Sequence, residues 1–89
     1  MTHHINANLK CDQCEELIIQ NTDALVEWIE DEKGVPEGIR IVHLPGISTI
    51  NPNSGCFKYT LHPHRQDLHL EDVLHSEVLR KKLGIVISP

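Results

Sequence analysis

Cys11-Asp12-Gln13-Cys14 is the stretch on which the reading of this chain turns, with His43 and Cys56 standing far downstream of it. A C-x-x-C pair lets two thiolates grip one tetrahedral ion from a single tight turn. The chain has three cysteines, so they cannot all pair as disulfides. One zinc ion held by Cys11, Cys14, His43 and Cys56 accounts for the odd sulfur. His43 closes a strand-like run and Cys56 follows a Gly-containing turn, and such places let ligands converge. Four protein ligands leave no open position for water, so the expected site is structural and not catalytic. His62 and His64 are also near Cys56 in sequence, and either could take the place of His43.

Composition shows why a staple is needed. The 89 residues are 39% hydrophobic, and Trp28, Phe57 and Tyr59 are the only aromatics. A core of that size stands near break-even against chain entropy. A structural zinc supplies roughly 10 kcal/mol of apparent binding energy, which becomes folding energy. Met1-Thr2-His3-His4-Ile5-Asn6 has no apolar signal region, and no stretch approaches the ~20 apolar residues of a membrane helix. A cytosolic protein with reduced thiols is expected.

The net charge is −5 and unevenly spread. Residues 1–38 hold nine acids against Lys10 and Lys33, while residues 39–89 hold six bases against Asp67, Glu71, Asp72 and Glu77. The field of the whole chain disfavours tight binding to a polyanion. Arg80-Lys81-Lys82 reads first as a helix C-terminus, where cations meet the negative end of the helix dipole.

Residues 1–9 read as a flexible start without a convincing strand, and residues 10–89 as one domain. Cys14 to Gln20 fits a short helix or a strand, and Asn21-Thr22-Asp23 a turn. Residues 24–30, Ala-Leu-Val-Glu-Trp-Ile-Glu, form a strand with Val26 and Trp28 on one face and Leu25, Glu27 and Ile29 on the other. A polar loop over 31–38 leads to the strand Ile39-Arg40-Ile41-Val42-His43-Leu44, and the two runs make an antiparallel hairpin. Pro45-Gly46 breaks it; Ile47-Ser48-Thr49-Ile50 continues briefly, and Asn51-Pro52-Asn53-Ser54-Gly55 is a turn cluster. Alternation of Phe57, Tyr59 and Leu61 with polar residues predicts a third strand, and 62–66 a loop. Leu70, Val73, Leu74, Val78 and Leu79 recur at helical spacing, giving one bent helix or two short ones over 68–82. Ser76 suits a cap, Gly84 a stop, and Ile85-Val86-Ile87 a last short strand.

Rival chemistries have less behind them. A thiol redox couple wants a helix starting at Cys14 after a preceding strand, and the neighbours Asp12, Glu15 and Glu16 would raise a thiol pKa. His62-x-His64 with Asp67 has the look of a hydrolase metal loop, but nothing completes it, and a solvated loop accounts for it. His69 and His75 read as surface residues and Trp28 as a core anchor. No phosphate loop, nucleophile elbow or carboxylate pair stands out, so no catalytic residue is assigned and an enzyme finds no support.

In its Cys11/Cys14 pair, Glu27-Trp28, Ile41-Val42-His43, Cys56 and helical residues 68–83, the chain resembles a set of small uncharacterised bacterial and phage zinc-binding proteins. In that family Gly and a basic residue usually follow the second Cys, where this chain has Glu15-Glu16. The resemblance implies a zinc-binding module and brings no activity with it. The expectation is therefore a small zinc-stabilised α+β domain, with an antiparallel hairpin or three-stranded sheet and a C-terminal helical segment. Its expected role is a protein-interaction or regulatory module. The alternatives are a sequence-selective nucleic-acid binder using Lys58, Arg65 and Arg80 to Lys82, and a small C-x-x-C thiol oxidoreductase.

Overall fold

The computed structural model describes residues 3–5, 9–47 and 56–87. The expected continuation through 48–50 and the turn at 51–55 lie outside these residues. In chain order the elements are β1 (His3–Ile5), a 3-10 turn (Asn21–Asp23), β2 (Ala24–Glu30), β3 (Pro36–His43), β4 (Arg65–His69), α1 (Leu70–Leu74), α2 (Glu77–Leu83) and β5 (Ile85–Ile87). The α+β class holds, with a three-stranded antiparallel sheet ordered β3-β2-β4 and a helical C-terminal segment.

β2 is the central strand because its residues suit burial on both faces. Residues 24–28 are all buried. Val26 stands opposite Ile41, and Ala24 opposite His43. On the other face Leu25 stands opposite Val42, and Glu27 opposite Arg40. Ala24, Val26, Trp28, Ile41, Leu70, Val73, Leu83 and Ile85 share one buried cluster with Cys11 and Cys56. The metal-type donors are therefore continuous with the core.

The third strand is not where alternation put it. Residues 56–61 form turns and bends, and the strand beside β2 is β4. Arg-Gln-Asp-Leu-His holds one apolar residue, so pairing with β2 imposes the extended form and local propensity does not. Residues 57–59 instead strap across the sheet. The Lys58 backbone N–H donates to Glu27 Oε1 at 2.7 Å, the Tyr59 hydroxyl donates to the Gly38 carbonyl at 2.8 Å, and the Arg65 guanidinium lies 5.0 Å from the Phe57 ring centre. Gly38 permits this closeness: its φ is +61°, and a Cβ there would run into the Tyr59 hydroxyl.

The strap buries Glu27 completely, and the carboxylate is answered on several sides. Arg65 Nε donates to Oε2 at 3.3 Å, and Arg65 also pairs with Asp67. Arg40 Nη1 is enclosed 3.6 Å from Oε1, within ion-pair reach but beyond hydrogen-bond length, so its contribution there is Coulombic. Arg40 donates its hydrogen bond through Nη2 to Gln13 in the C-x-x-C turn.

The helical segment resolves into two short helices. The Ser76 hydroxyl accepts from the Leu79 N–H, and Gly84 ends α2 with φ 67°. Arg80, Lys81 and Lys82 occupy its last turn, as the dipole favours. Lys82 reaches Glu30 at 2.9 Å, and the Trp28 indole N–H donates to the same carboxylate at 3.1 Å. Both contacts hold the Glu30 carboxyl below its ordinary range, Lys82 chiefly. β5 then pairs in parallel with β1. Residues 3–5 thus form a strand that the reading of 1–9 as a loose start did not include.

Candidate metal centre

The C-x-x-C turn is the tip of a small hairpin. Lys10 and Leu17 form an antiparallel bridge, and the Ile18 N–H donates to the Leu9 carbonyl at 2.9 Å. Residues 14–20 are thus neither a helix nor a full strand. Within the turn the Cys11 N–H donates to the Glu16 carbonyl, the Glu15 N–H donates to the Cys11 carbonyl, and the Gln13 N–H points at Cys11 Sγ from 3.4 Å. Amide dipoles aimed at a sulfur favour its thiolate. This turn needs a residue with positive φ after the second cysteine, and Glu15 supplies it at φ 65°. It is the sole non-glycine with positive φ among the described residues. Glu15 thus holds a conformation that glycine would take without strain.

The hairpin docks on the outer edge of β3. The Asp12 N–H donates to the Ile41 carbonyl at 2.9 Å, and the Ile41 N–H donates to Asp12 Oδ2 at 2.7 Å. One residue thereby satisfies both edge groups of Ile41, which would otherwise be open to another strand. Docking carries Cys11 and Cys14 to the C-terminal end of β3, where His43 stands. The Cys56 N–H donates to the His43 carbonyl at 3.3 Å and fixes the third cysteine at the same place.

One ligand atom from each of Cys11, Cys14, His43 and Cys56 lies within 4.8 Å of all the others. Tetrahedral zinc with bonds of about 2.3 Å to sulfur and 2.0–2.1 Å to nitrogen sets its donors about 3.6–3.8 Å apart. Cys14 Sγ and His43 Nδ1 are 3.3 Å apart, close to that spacing. His43 Nε2 is 3.1 Å from the Leu17 carbonyl oxygen. A carbonyl only accepts, so Nε2 carries the proton and Nδ1 presents its lone pair to the sulfurs. A backbone partner on the far nitrogen is the usual support of a metal-ligating imidazole.

Cys11, Cys56 and His43 are buried, at 1%, 1% and 3% exposure, and Cys14 is half-buried. None of the three cysteines is in a disulfide. Burial pushes the Cys11 thiol above its ordinary value, with backbone N–H groups offsetting this in part. Gathering three sulfurs in such a place is costly without a cation, and a cation reverses the preference by holding them as thiolates. The raised thiol and closed surroundings of Cys11 do not suit it as the attacking thiol of a C-x-x-C oxidoreductase.

The other sequence candidates lie elsewhere. His62 and His64 are exposed in the loop before β4, their ring centres 5.9 Å apart, with the His64 N–H donating to His62 Nδ1. Asp67 is taken up by Arg65. Among the described residues, the Cys11, Cys14, His43 and Cys56 cluster is the one grouping of donors able to hold a metal. Sequence reasoning passed over Asp12, Gln13 and Glu27 as structural parts of the site's frame. A signal was present in the placement of two polar residues between the cysteines and of a carboxylate inside an apolar strand.

The chain matches no family model, no curated protein and no solved structure at a significant level. No described helix is long and apolar enough to cross a membrane.

Proposed function

We propose that this chain is a small cytoplasmic zinc-binding module in which Cys11, Cys14, His43 and Cys56 hold one structural Zn²⁺, and that the domain so stapled serves in protein interaction or regulation. The observation that carries the metal reading is the convergence of these four donors within 4.8 Å. Three sulfurs and one imidazole are a soft donor set, which suits zinc better than calcium or magnesium. All four positions of the tetrahedron come from the protein, so the ion is a staple and not a Lewis acid.

A protein partner is favoured over nucleic acid by the charge and by what the cations already do. Arg40 and Arg65 are engaged by Glu27, Lys81 by Glu77 and Lys82 by Glu30, and Arg80 donates to the Leu74 carbonyl. Few cations therefore stand ready for phosphates. Ile19, Leu61 and Val78 are 85%, 96% and 76% exposed and offer apolar contact to a partner.

Elemental analysis of protein purified without chelator tests the metal reading. The expected result is about one zinc per chain, with Cys14→Ser losing the metal and lowering the stability of the fold. Absence of metal from the purified protein, or full retention by Cys14→Ser, would overturn it.

A further inference from the structure

The four donors are not equally sheltered. Cys11 and Cys56 are 1% exposed, whereas Cys14 is half-buried on the same tight turn as Cys11. Zinc-bound thiolates keep their nucleophilicity toward oxidants, and access selects which of them reacts. Only Cys14 combines access with a second sulfur held by its own turn. Asp12, Glu15 and Glu16 outweigh the cations Lys10 and Arg40 at that turn, and the net negative charge repels anionic oxidants and leaves a neutral one unaffected.

We propose that this centre is a redox switch responding to a neutral hydroperoxide: oxidation links Cys14 to Cys11 and releases the metal. The proposal rests on the zinc reading above. In the first step the Cys14 thiolate attacks one peroxide oxygen; the O–O bond breaks, giving a Cys14 sulfenic acid and hydroxide. In the second, the Cys11 thiolate attacks the Cys14 sulfur, an S–S bond forms, and a second hydroxide leaves. Two thiolates lose two electrons in all, and hydrogen peroxide takes both to become two hydroxides. His43 and Cys56 are then the only ligands left, and two donors do not retain zinc against water. Cys11 is the resolving partner because it shares the turn with Cys14, whereas Cys56 is anchored separately on the His43 carbonyl.

The test uses the zinc-loaded wild-type chain with hydrogen peroxide, a colorimetric zinc indicator and peptide mass spectrometry. Trypsin separates residues 11–33, which hold Cys11 and Cys14, from residues 41–58, which hold Cys56. The expected result is zinc release in step with the loss of two hydrogens from peptide 11–33, while Cys56 stays alkylatable and dithiothreitol with zinc restores the starting state. Glutathione disulfide, an anion, should release zinc at least ten-fold more slowly than hydrogen peroxide at equal concentration. Zinc retained while free glutathione in the same vessel is consumed by the peroxide would overturn the switch and leave the zinc reading intact. A cross-link between peptides 11–33 and 41–58 would overturn the choice of Cys11, and faster release by glutathione disulfide the choice of oxidant. A chain that holds no zinc at the outset would overturn both the switch and the reading beneath it.

Discussion

His43 Nε2 lies 3.1 Å from the carbonyl oxygen of Leu17, and this contact decides which ring nitrogen faces the sulfurs. The carbonyl belongs to the returning arm of the C-x-x-C hairpin. The segment that supplies two sulfurs therefore also orients the imidazole supplied by β3. Replacing His43 with Ala should weaken zinc retention at least ten-fold in a chelator competition, and His62→Ala should leave it unchanged. Equal losses would place the wrong imidazole in the site.

Removal of the metal should be felt first at the docked edge. The hydrogen bonds between Asp12 and Ile41 hold the hairpin on β3, and the proposed zinc would be a second tie between the two. After chelation, hydrogen exchange at the Ile41 amide should accelerate at least ten-fold more than exchange at the β2 amides that face β4. Uniform acceleration would mean that the whole domain melts at once; unchanged protection would mean that the hairpin docks without metal.

Glu15 sits in the left-handed region, where a side chain costs about 1–2 kcal/mol and glycine costs nothing. Glycine gives back part of this through the greater freedom of its unfolded chain. Glu15→Gly should therefore stabilise the zinc-loaded domain by about 0.5–1 kcal/mol, read as a rise of several degrees in Tm. A fall in Tm would show that the exposed Glu15 side chain makes a contribution larger than the strain.

Glu27 is fully buried between Arg40, Arg65 and the Lys58 amide. Glu27→Gln keeps its size but leaves two enclosed guanidinium groups without their shared counter-charge. A loss of about 3 kcal/mol in urea denaturation is expected, typical of breaking a buried pair from one side. A change below about 0.5 kcal/mol would mean that solvent compensates the arginines.

Much of this architecture could be read from the residues, and what could not has physical causes. The hairpin, the Ser76 cap and the Gly84 stop are local signals and are found, although β3 begins at Pro36, inside the expected loop over 31–38, and ends at His43, one residue before Leu44. The donor cluster was legible because soft ligands are few in this chain and one pair has metal-type spacing. β4 was hidden because Arg65-Gln66-Asp67-Leu68-His69 is extended only through its partner strand and spends its charges on Glu27 and on itself. Phe57 and Tyr59 misled for the converse reason: their alternation serves a strap over the sheet's face, not a place at its edge. The pairing of β1 with β5 joins residues 3–5 to 85–87, a contact on which no local pattern reports.

Zinc K-edge X-ray absorption on the purified chain tests the central assignment most directly. The account predicts a first shell of three sulfurs at about 2.3 Å and one nitrogen at 2.0–2.1 Å, with the imidazole signature lost in His43→Ala. A shell of oxygen and nitrogen only, or one unchanged by His43→Ala, would contradict it.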